Sequence, residues 1–182
     1  MLLPICLEYE QVCIHPLRAA DIDRYEQFVE EIYQLLSDEE TLHFIPEKRL
    51  RSFQEAENWL KSATLNFHCG HNYLHFITER TSGKLLGMVD IFTPGKVKEH
   101  YRLESYPYFL EFYLRGKVRG RKIMTKLLPL IIEELDKRNI QSVAAVINKN
   151  NFAALKVIEK AGFEFRARFD ARQNLYQLSL SA

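Results

Sequence analysis

Tyr108 to Leu128 reads YFLEFYLRGKVRGRKIMTKLL: an apolar run stops at a basic, glycine-containing turn and restarts as an amphipathic segment. Strand, turn and helix in that order build an anion site. The first N–H groups of a helix have no intrahelical partner, and the aligned peptide dipoles leave roughly half a positive charge there, so a phosphate docks readily. Arg115, Lys117, Arg119, Arg121 and Lys122 add side-chain charge at the same place, while Gly116 and Gly120 permit close approach of backbone to a ligand. Taken alone, such a turn is equally readable as a solvated helix start.

A second segment narrows the choice. In Val143–Phe163, VAAVINKNNFAALKVIEKAGF, residues 143–147 read as a short buried strand and Asn148, Asn150 and Asn151 as loop and cap formers. Phe152, Leu155, Ile158 and Ala161 recur at helical spacing, with Asn151 as N-cap and Gly162 as a left-handed C-cap.

Together the two segments resemble the GNAT superfamily of N-acetyltransferases, nearest the ribosomal-protein N-terminal acetyltransferases of the Rim type. The family's pyrophosphate loop, Q/R-x-x-G-x-G/A, is matched by Lys117, Gly120 and Lys122, followed by Ile123 and Met124. Its downstream pattern, N-x-x-S/A with E-K-x-G-F, is matched by Asn151, Ala154, Glu159, Lys160, Gly162 and Phe163. Pro16-Leu17-Arg18 with Asp21, the segment 55–60 with Trp59, and Gly87 after the turn at 81–84 are similar to further parts of the family. The sequence departs from it at Lys117 and Lys122, at Ile158 in place of a tyrosine acid, and at Ala154 in place of serine.

The resemblance implies an α/β fold, a mixed and mainly antiparallel sheet of about seven strands flanked by four helices, in a single domain over 1–182. It implies acetyl-CoA as cosubstrate, with no metal. Its contacts are expected at Phe112, Tyr113 and Leu114, at Lys117, Arg119, Gly120, Arg121, Lys122, Ile123 and Met124, and at Asn151. The implied reaction is direct acetyl transfer to a primary amine of a peptide N-terminus or small molecule.

Composition agrees with a compact enzyme. At 182 residues, 47% hydrophobic and 27% charged, the chain can bury a sizeable core. A net charge of +1 exerts no global pull on nucleic acid or anionic membrane, so the basic turn is a local feature. Three cysteines, Cys6, Cys13 and Cys69, are too few for a disulfide framework and suggest a reducing, cytoplasmic compartment. The apolar MLLPICL start lacks a basic flank, contains Pro4 and runs into Glu8 and Glu10, so neither signal peptide nor membrane span is expected.

Along the chain, 12–18 reads as a strand, and Ile22, Tyr25, Val29, Ile32 and Leu36 mark a helix by their spacing. Ser52 caps a second helix carrying Phe53, Ala56, Leu60 and Ala63. Segments 73–80 and 85–93 form a hairpin, and 94–106 reads as a charged connection that either borders the acceptor pocket or is plain surface. After the basic turn, Ile123, Leu127, Leu130, Ile131 and Leu135 give a helix in which Pro129 predicts a bend near Thr125. Segments 163–169 and 175–180 close the chain as a hairpin, for the order βααβββαβαββ.

Acetyl transfer to nitrogen needs a neutral amine. At pH 7, deprotonating a lysine of pKa about 10.4 costs roughly 4.6 kcal/mol, against about 1 kcal/mol for an α-amine near 7.8. Glu111 is the candidate base: it is a carboxylate inside an apolar strand, and partial burial facing a cleft would raise its pKa. Alternation leaves open that it faces solvent on the other side of the sheet. Tyr113 shares its face and Tyr108 has the opposite one; either can stabilise the departing thiolate or serve only in packing.

His68, Cys69, His71 and His75 include metal-ligand types but lack the paired spacing of a zinc site. The chain has no G-x-S-x-G, Walker-type or H-E-x-x-H motif. Two readings remain: an acetyl-CoA-dependent N-acetyltransferase acting as monomer or homodimer, and a phosphate- or nucleic-acid-binding module on the same fold without catalysis. The near-neutral charge and the second matching segment favour the enzyme, with coenzyme A and an amine acceptor as partners and neither nucleic acid nor membrane.

Overall fold

A computed structural model describes residues 4–180. Among them are eight strands, β1 Leu7–Tyr9, β2 Val12–His15, β3 Asn72–Glu79, β4 Leu85–Phe92, β5 Tyr108–Leu114, β6 Ser142–Asn148, β7 Glu164–Arg168 and β8 Gln173–Ser179. The α-helices are α1 Ala19–Ile22, α2 Tyr25–Leu35, α3 Glu39–Leu42, α4 Phe53–His68, α5 Pro94–His100, α6 Ile123–Asp136 and α7 Phe152–Lys160. The sheet order is β1-β2-β3-β4-β5-β6-β8-β7. Its pairs are antiparallel at β1–β2, β2–β3, β6–β8 and β7–β8, and parallel at β5–β6.

The expected mixed, mainly antiparallel α/β sheet is present, with one strand and three short helices more than the count of about seven and four. The additional strand, β1, pairs Tyr9 with Val12 across a two-residue turn in which Glu10 takes φ +50. That turn carries none of the Gly, Asn or Asp residues that mark tight hairpins. The strand expected over 12–18 stops at His15 because Pro16 has no N–H to give to a ladder. The segment 94–106 is not wholly a connection: its first half is α5, with Pro94 at the first helical position and Thr93 accepting from the Lys96 N–H. Ser52 and Asn151 cap α4 and α7 as expected, accepting from the N–H groups of Glu55 and Ala154.

The chain divides into two compact units, one holding the residues up to Asp90 with Phe112–Arg119, the other Ile91–Glu111 with the residues from Gly120 onward. In the first, α2 and α4 lay Phe28, Val29, Ile32, Leu35, Ala56 and Leu60 on Leu74 and Phe76 of β3, Met88 of β4 and Tyr113 of β5. Phe28 and Phe76 meet edge to face, with centroids 4.9 Å apart and both rings fully buried. Truncating either to alanine costs about 3–5 kcal/mol on the usual scale for core aromatics. Glu31 of α2 is buried among these residues. It accepts from both Arg24 guanidinium nitrogens, at 3.0 and 3.2 Å, and from the Leu85 N–H at 2.8 Å, so α2 is tied to the start of β4.

In the second unit, Val97 of α5, Phe109, Ala144 and Leu175 form a smaller core joined by Phe92, Leu103, Tyr106 and Phe169. Tyr101, just after α5, stacks on Phe109 with centroids 5.6 Å apart. No helix among the described residues is long and apolar enough to cross a membrane.

Candidate active site

Strand β5 carries the candidate base. Its residues Phe109, Glu111 and Tyr113 share one face by the two-residue period of a strand. Phe109 and Tyr113 are buried, and Glu111, Phe112 and Leu114 are half-buried. The Tyr113 ring lies in the core of the first unit, and the Lys48 ammonium sits 5.8 Å from its centroid.

Beyond β5 the chain turns in two stages. In the first, the Arg115 N–H donates to Leu86 O at 2.9 Å, and a 3-10 turn over Gly116–Val118 follows, with Val118 and Arg119 donating to the carbonyls of Arg115 and Gly116. Both arginines of this stage point to α2 and α3. Arg115 donates to Glu31 O at 2.7 Å and Gln34 Oε1 at 3.3 Å, and Arg119 to Glu40 O at 2.6 Å and Thr41 O at 3.4 Å. Burial pulls the Arg115 guanidinium below its ordinary pKa, against the opposing pull of Glu31 and Asp38. Any side chain at Gly116 would collide with the Glu40 carboxylate. This half of the turn is clamped to the protein's own carbonyls.

The second stage is open. Gly120 takes φ +76 with nothing within 4 Å of where a Cβ would stand. Lys122 takes φ +59, a left-handed conformation rare for a side-chain-bearing residue, and makes no side-chain cap to α6. The Lys126 N–H, donating to Lys122 O at 3.1 Å, is the first to close a helical turn of α6. Ile123, Met124 and Thr125 therefore present N–H groups with no intrahelical acceptor at the positive end of the helix dipole. Lys117 is exposed, as are Arg121 and Lys122.

The unit that holds α6 has a second helix N-terminus, this one capped. β5 and β6 run parallel, Tyr108 opposite Val143 and Phe109 opposite Ala144, so α6 and α7 both begin beyond the carboxyl ends of neighbouring parallel strands. α6 packs on α7. At the α7 N-terminus, Asn151 Oδ1 accepts from the Ala154 N–H at 3.1 Å, and Asn148 Oδ1 from the Asn150 N–H at 3.0 Å. Gly120, Arg121, Lys122, Ile123, Met124 and Asn151 thus lie at two helix N-termini of one unit, while Tyr113, Leu114, Lys117 and Arg119 belong to the other.

Sequence reasoning did not find the docking of Arg115 and Arg119, whose acceptors lie 84 and 79 residues away and leave no local signal. It also missed Asp90, a carboxylate within β4 that is 8% exposed and accepts from Asn72 Nδ2 at 2.8 and 2.7 Å. That signal was present, as Asp90 is the one charged residue in the apolar run LLGMVDIF. The His and Cys residues around Gly70 do not gather: His75 is buried, with Nε2 accepting from the Ile5 N–H and Nδ1 against Tyr73 O, whereas Cys69 is exposed. No three His, Cys, Asp or Glu side chains among the described residues are grouped to hold a metal ion.

Comparison with known proteins agrees with this geometry. Over 96% of each chain, the structure superposes on the S5-alanine ribosomal-protein acetyltransferase of Vibrio fischeri with a TM-score of 0.73 at 15% identity. It superposes on a ribosomal L7/L12 alpha-N-protein acetyltransferase, RimL, in complex with coenzyme A, with a TM-score of 0.71 at 13% identity, covering 97% of this chain and 98% of that one. For the spermidine N-acetyltransferase of Vibrio cholerae in complex with coenzyme A and spermine the TM-score is 0.67 at 14% identity, covering 93% and 95%. No curated protein matches at the sequence level. The sequence model of the acetyltransferase (GNAT) domain matches residues 11–164, most of the chain. With strand, left-handed turn and uncapped helix in the order that the motifs require, the chain belongs to the GNAT family of acetyltransferases, which take their acetyl group from acetyl-CoA.

Proposed function

We propose that the protein transfers the acetyl group of acetyl-CoA directly to the primary amine of a peptide N-terminus or small molecule, as one cytoplasmic domain over 1–182, monomeric or dimeric. The observation that carries the reading is the uncapped start of α6 behind the left-handed pair Gly120 and Lys122. In this reading the pyrophosphate takes the N–H groups from Gly120 to Met124, with charge from Lys117, Arg121 and Lys122. Arg119 contributes by holding the turn through Glu40 and Thr41. Asn151 bonds the pantetheine arm in addition to capping α7.

The acetyl group lies along Phe112, Tyr113 and Leu114, where strand N–H groups polarise the thioester carbonyl. The amine attacks the carbonyl carbon, the C–S bond breaks, Glu111 accepts the amine proton directly or through a water, and Tyr113 stabilises the departing thiolate. A peptide N-terminus or another low-pKa amine suits this half-buried carboxylate, since little proton-removal work remains for it.

Incubation with acetyl-CoA and a panel of peptides, polyamines, amino acids and aminoglycosides, read by thiol release and mass spectrometry, tests the reading. Acetylated product from at least one amine is expected. Coenzyme A binding without transfer to any amine leaves the second reading, a phosphate-binding module without catalysis.

A further inference from the structure

Coenzyme A has a third part besides its pantetheine arm and its pyrophosphate: an adenosine whose ribose carries a 3′-phosphate. It presents a flat purine face with a largely dianionic phosphate beside it, and no residue named so far meets either. A matching pair stands at the start of α7. Phe152, the first residue of that helix, is 67% exposed, more than any other large apolar side chain among the described residues. Lys156, four residues on, is its neighbour on the same helix face and is exposed as well.

Neither side chain is used by the fold. The Phe152 ring meets no other aromatic ring, and the Lys156 ammonium pairs with no carboxylate or carbonyl, among the described residues. Two nearby groups of similar chemistry are committed elsewhere: Phe165 packs edge to face on Tyr176 with centroids 6.0 Å apart, and Lys149 donates to Ala171 O at 3.1 Å. A single exposed phenylalanine is ordinary on a protein surface, so its place decides what it does. α7 packs on α6 within one unit, and both helices start beyond the carboxyl ends of the neighbouring parallel strands β5 and β6. Packed helices run about 8–10 Å apart, axis to axis, so the start of α7 adjoins the turn that receives the pyrophosphate. A base stacked there removes ring surface from water on both partners and needs no pattern of donors and acceptors.

We propose, on the footing of the coenzyme A reading above, that the Phe152 ring stacks on the adenine of coenzyme A and that the Lys156 ammonium pairs with its 3′-phosphate. Phe152 then sets the affinity for the nucleoside, and Lys156 the preference for coenzyme A over its 3′-dephospho form.

The test measures Kd by calorimetry for coenzyme A, 3′-dephospho-coenzyme A and 4′-phosphopantetheine, which lacks the nucleotide. Phe152→Ala should weaken both nucleotide-containing ligands by the same factor, about fivefold or more for a lost base stack, and leave 4′-phosphopantetheine as it was. Lys156→Gln should weaken coenzyme A alone. Both variants should melt as the wild type does, since each removes an exposed side chain without a partner. Phe152→Trp should retain coenzyme A affinity and add an indole fluorescence that coenzyme A quenches and 4′-phosphopantetheine does not. Wild-type affinity for coenzyme A in Phe152→Ala overturns the stack, and so does an equal loss for 4′-phosphopantetheine or an indole signal that coenzyme A leaves unquenched. A loss in Lys156→Gln that is equal for coenzyme A and its dephospho form overturns the 3′-phosphate contact. In each of these cases coenzyme A binding by the wild type stands. A wild-type protein that binds no coenzyme A rejects the cofactor reading itself, and the inference falls with it.

Discussion

The buried His15 shows how much a single residue's hydrogen bonds fix. His15 Nδ1 lies 2.8 Å from Pro16 O, which can only accept, so Nδ1 carries the proton and Nε2 accepts from the Thr78 hydroxyl at 2.8 Å. Burial lowers the His15 pKa below its ordinary value; the Pro16 carbonyl and the Asp21 carboxylate, 3.6 Å away, pull it back up. A histidine with a depressed folded pKa contributes stability that is intact above the unfolded value, about 6.5, and is lost as pH falls below it, because the unfolded chain then binds more protons. Urea melts should therefore show falling stability between pH 6.5 and 5, at no more than about 1.4 kcal/mol per unit from this group. His15→Gln should flatten that slope, and an unchanged slope would assign it elsewhere. Lys122 supports a second prediction at this scale. Its φ of +59 costs a side-chain-bearing residue about 1–2 kcal/mol, partly offset by the backbone entropy glycine loses on folding. Lys122→Gly should raise stability by about 0.5–1 kcal/mol in thermal melts, while coenzyme A affinity falls through loss of the ammonium charge without being abolished, because the backbone N–H remains.

Where an element's ends are written in local chemistry, the sequence displays it. Asn151 and Gly162 bracket α7: Asn151 caps the Ala154 N–H, and Gly162 at φ +89 lets Gly162 and Phe163 donate back to the carbonyls of Glu159 and Ile158. For α4 the Ser52 start was legible in the same way, whereas its end before Gly70, at φ +70, was not read. Helix α6 runs through Pro129 from Ile123 to Asp136, where the apolar spacing placed it. What escaped reading lacked such marks or had them outweighed. β1 turns on Glu10-Gln11; α5 carries a threonine cap and a proline at its start, but its charged composition reads as surface loop. The clamp of Arg115 and Arg119 on α2 and α3 depends on long-range contacts that no local pattern records. For Asn151 the two roles separate experimentally. Capping is worth about 1 kcal/mol, so Asn151→Ala should lower stability by about that amount in denaturant melts. If Asn151 also bonds pantetheine, coenzyme A affinity should fall further in calorimetry than in a variant destabilised equally at a position away from the site; equal affinity would leave capping as its whole role.

At the scale of the whole molecule, 25 basic against 24 acidic residues leave no general field to gather a polyanion, so the proposed anion binding rests on a local site, the turn before α6 where backbone dipoles and lysines coincide. That separates the cofactor from nucleic acid. A nucleic-acid binder holds several phosphates and loses affinity steeply with salt, whereas a site built on the N–H groups of one helix start holds a single pyrophosphate with a shallower dependence. Coenzyme A should accordingly raise Tm, stabilising the fold by about 2.7 kcal/mol at a hundredfold excess over Kd, and raising the salt from 50 to 200 mM should reduce the effect only modestly. Gly120 supplies the control. Its φ of +76 makes any substitution strained, but the space about its Cβ position is open, so Gly120→Ala and Gly120→Glu share the backbone penalty and differ in what they place beside the phosphates. Both variants should melt below wild type by similar amounts. The alanine variant should keep a measurable shift with coenzyme A, and the glutamate variant should lose it, because a carboxylate there repels the pyrophosphate at close range. A glutamate variant that keeps the full shift would move the pyrophosphate away from α6 and remove the main support for the site.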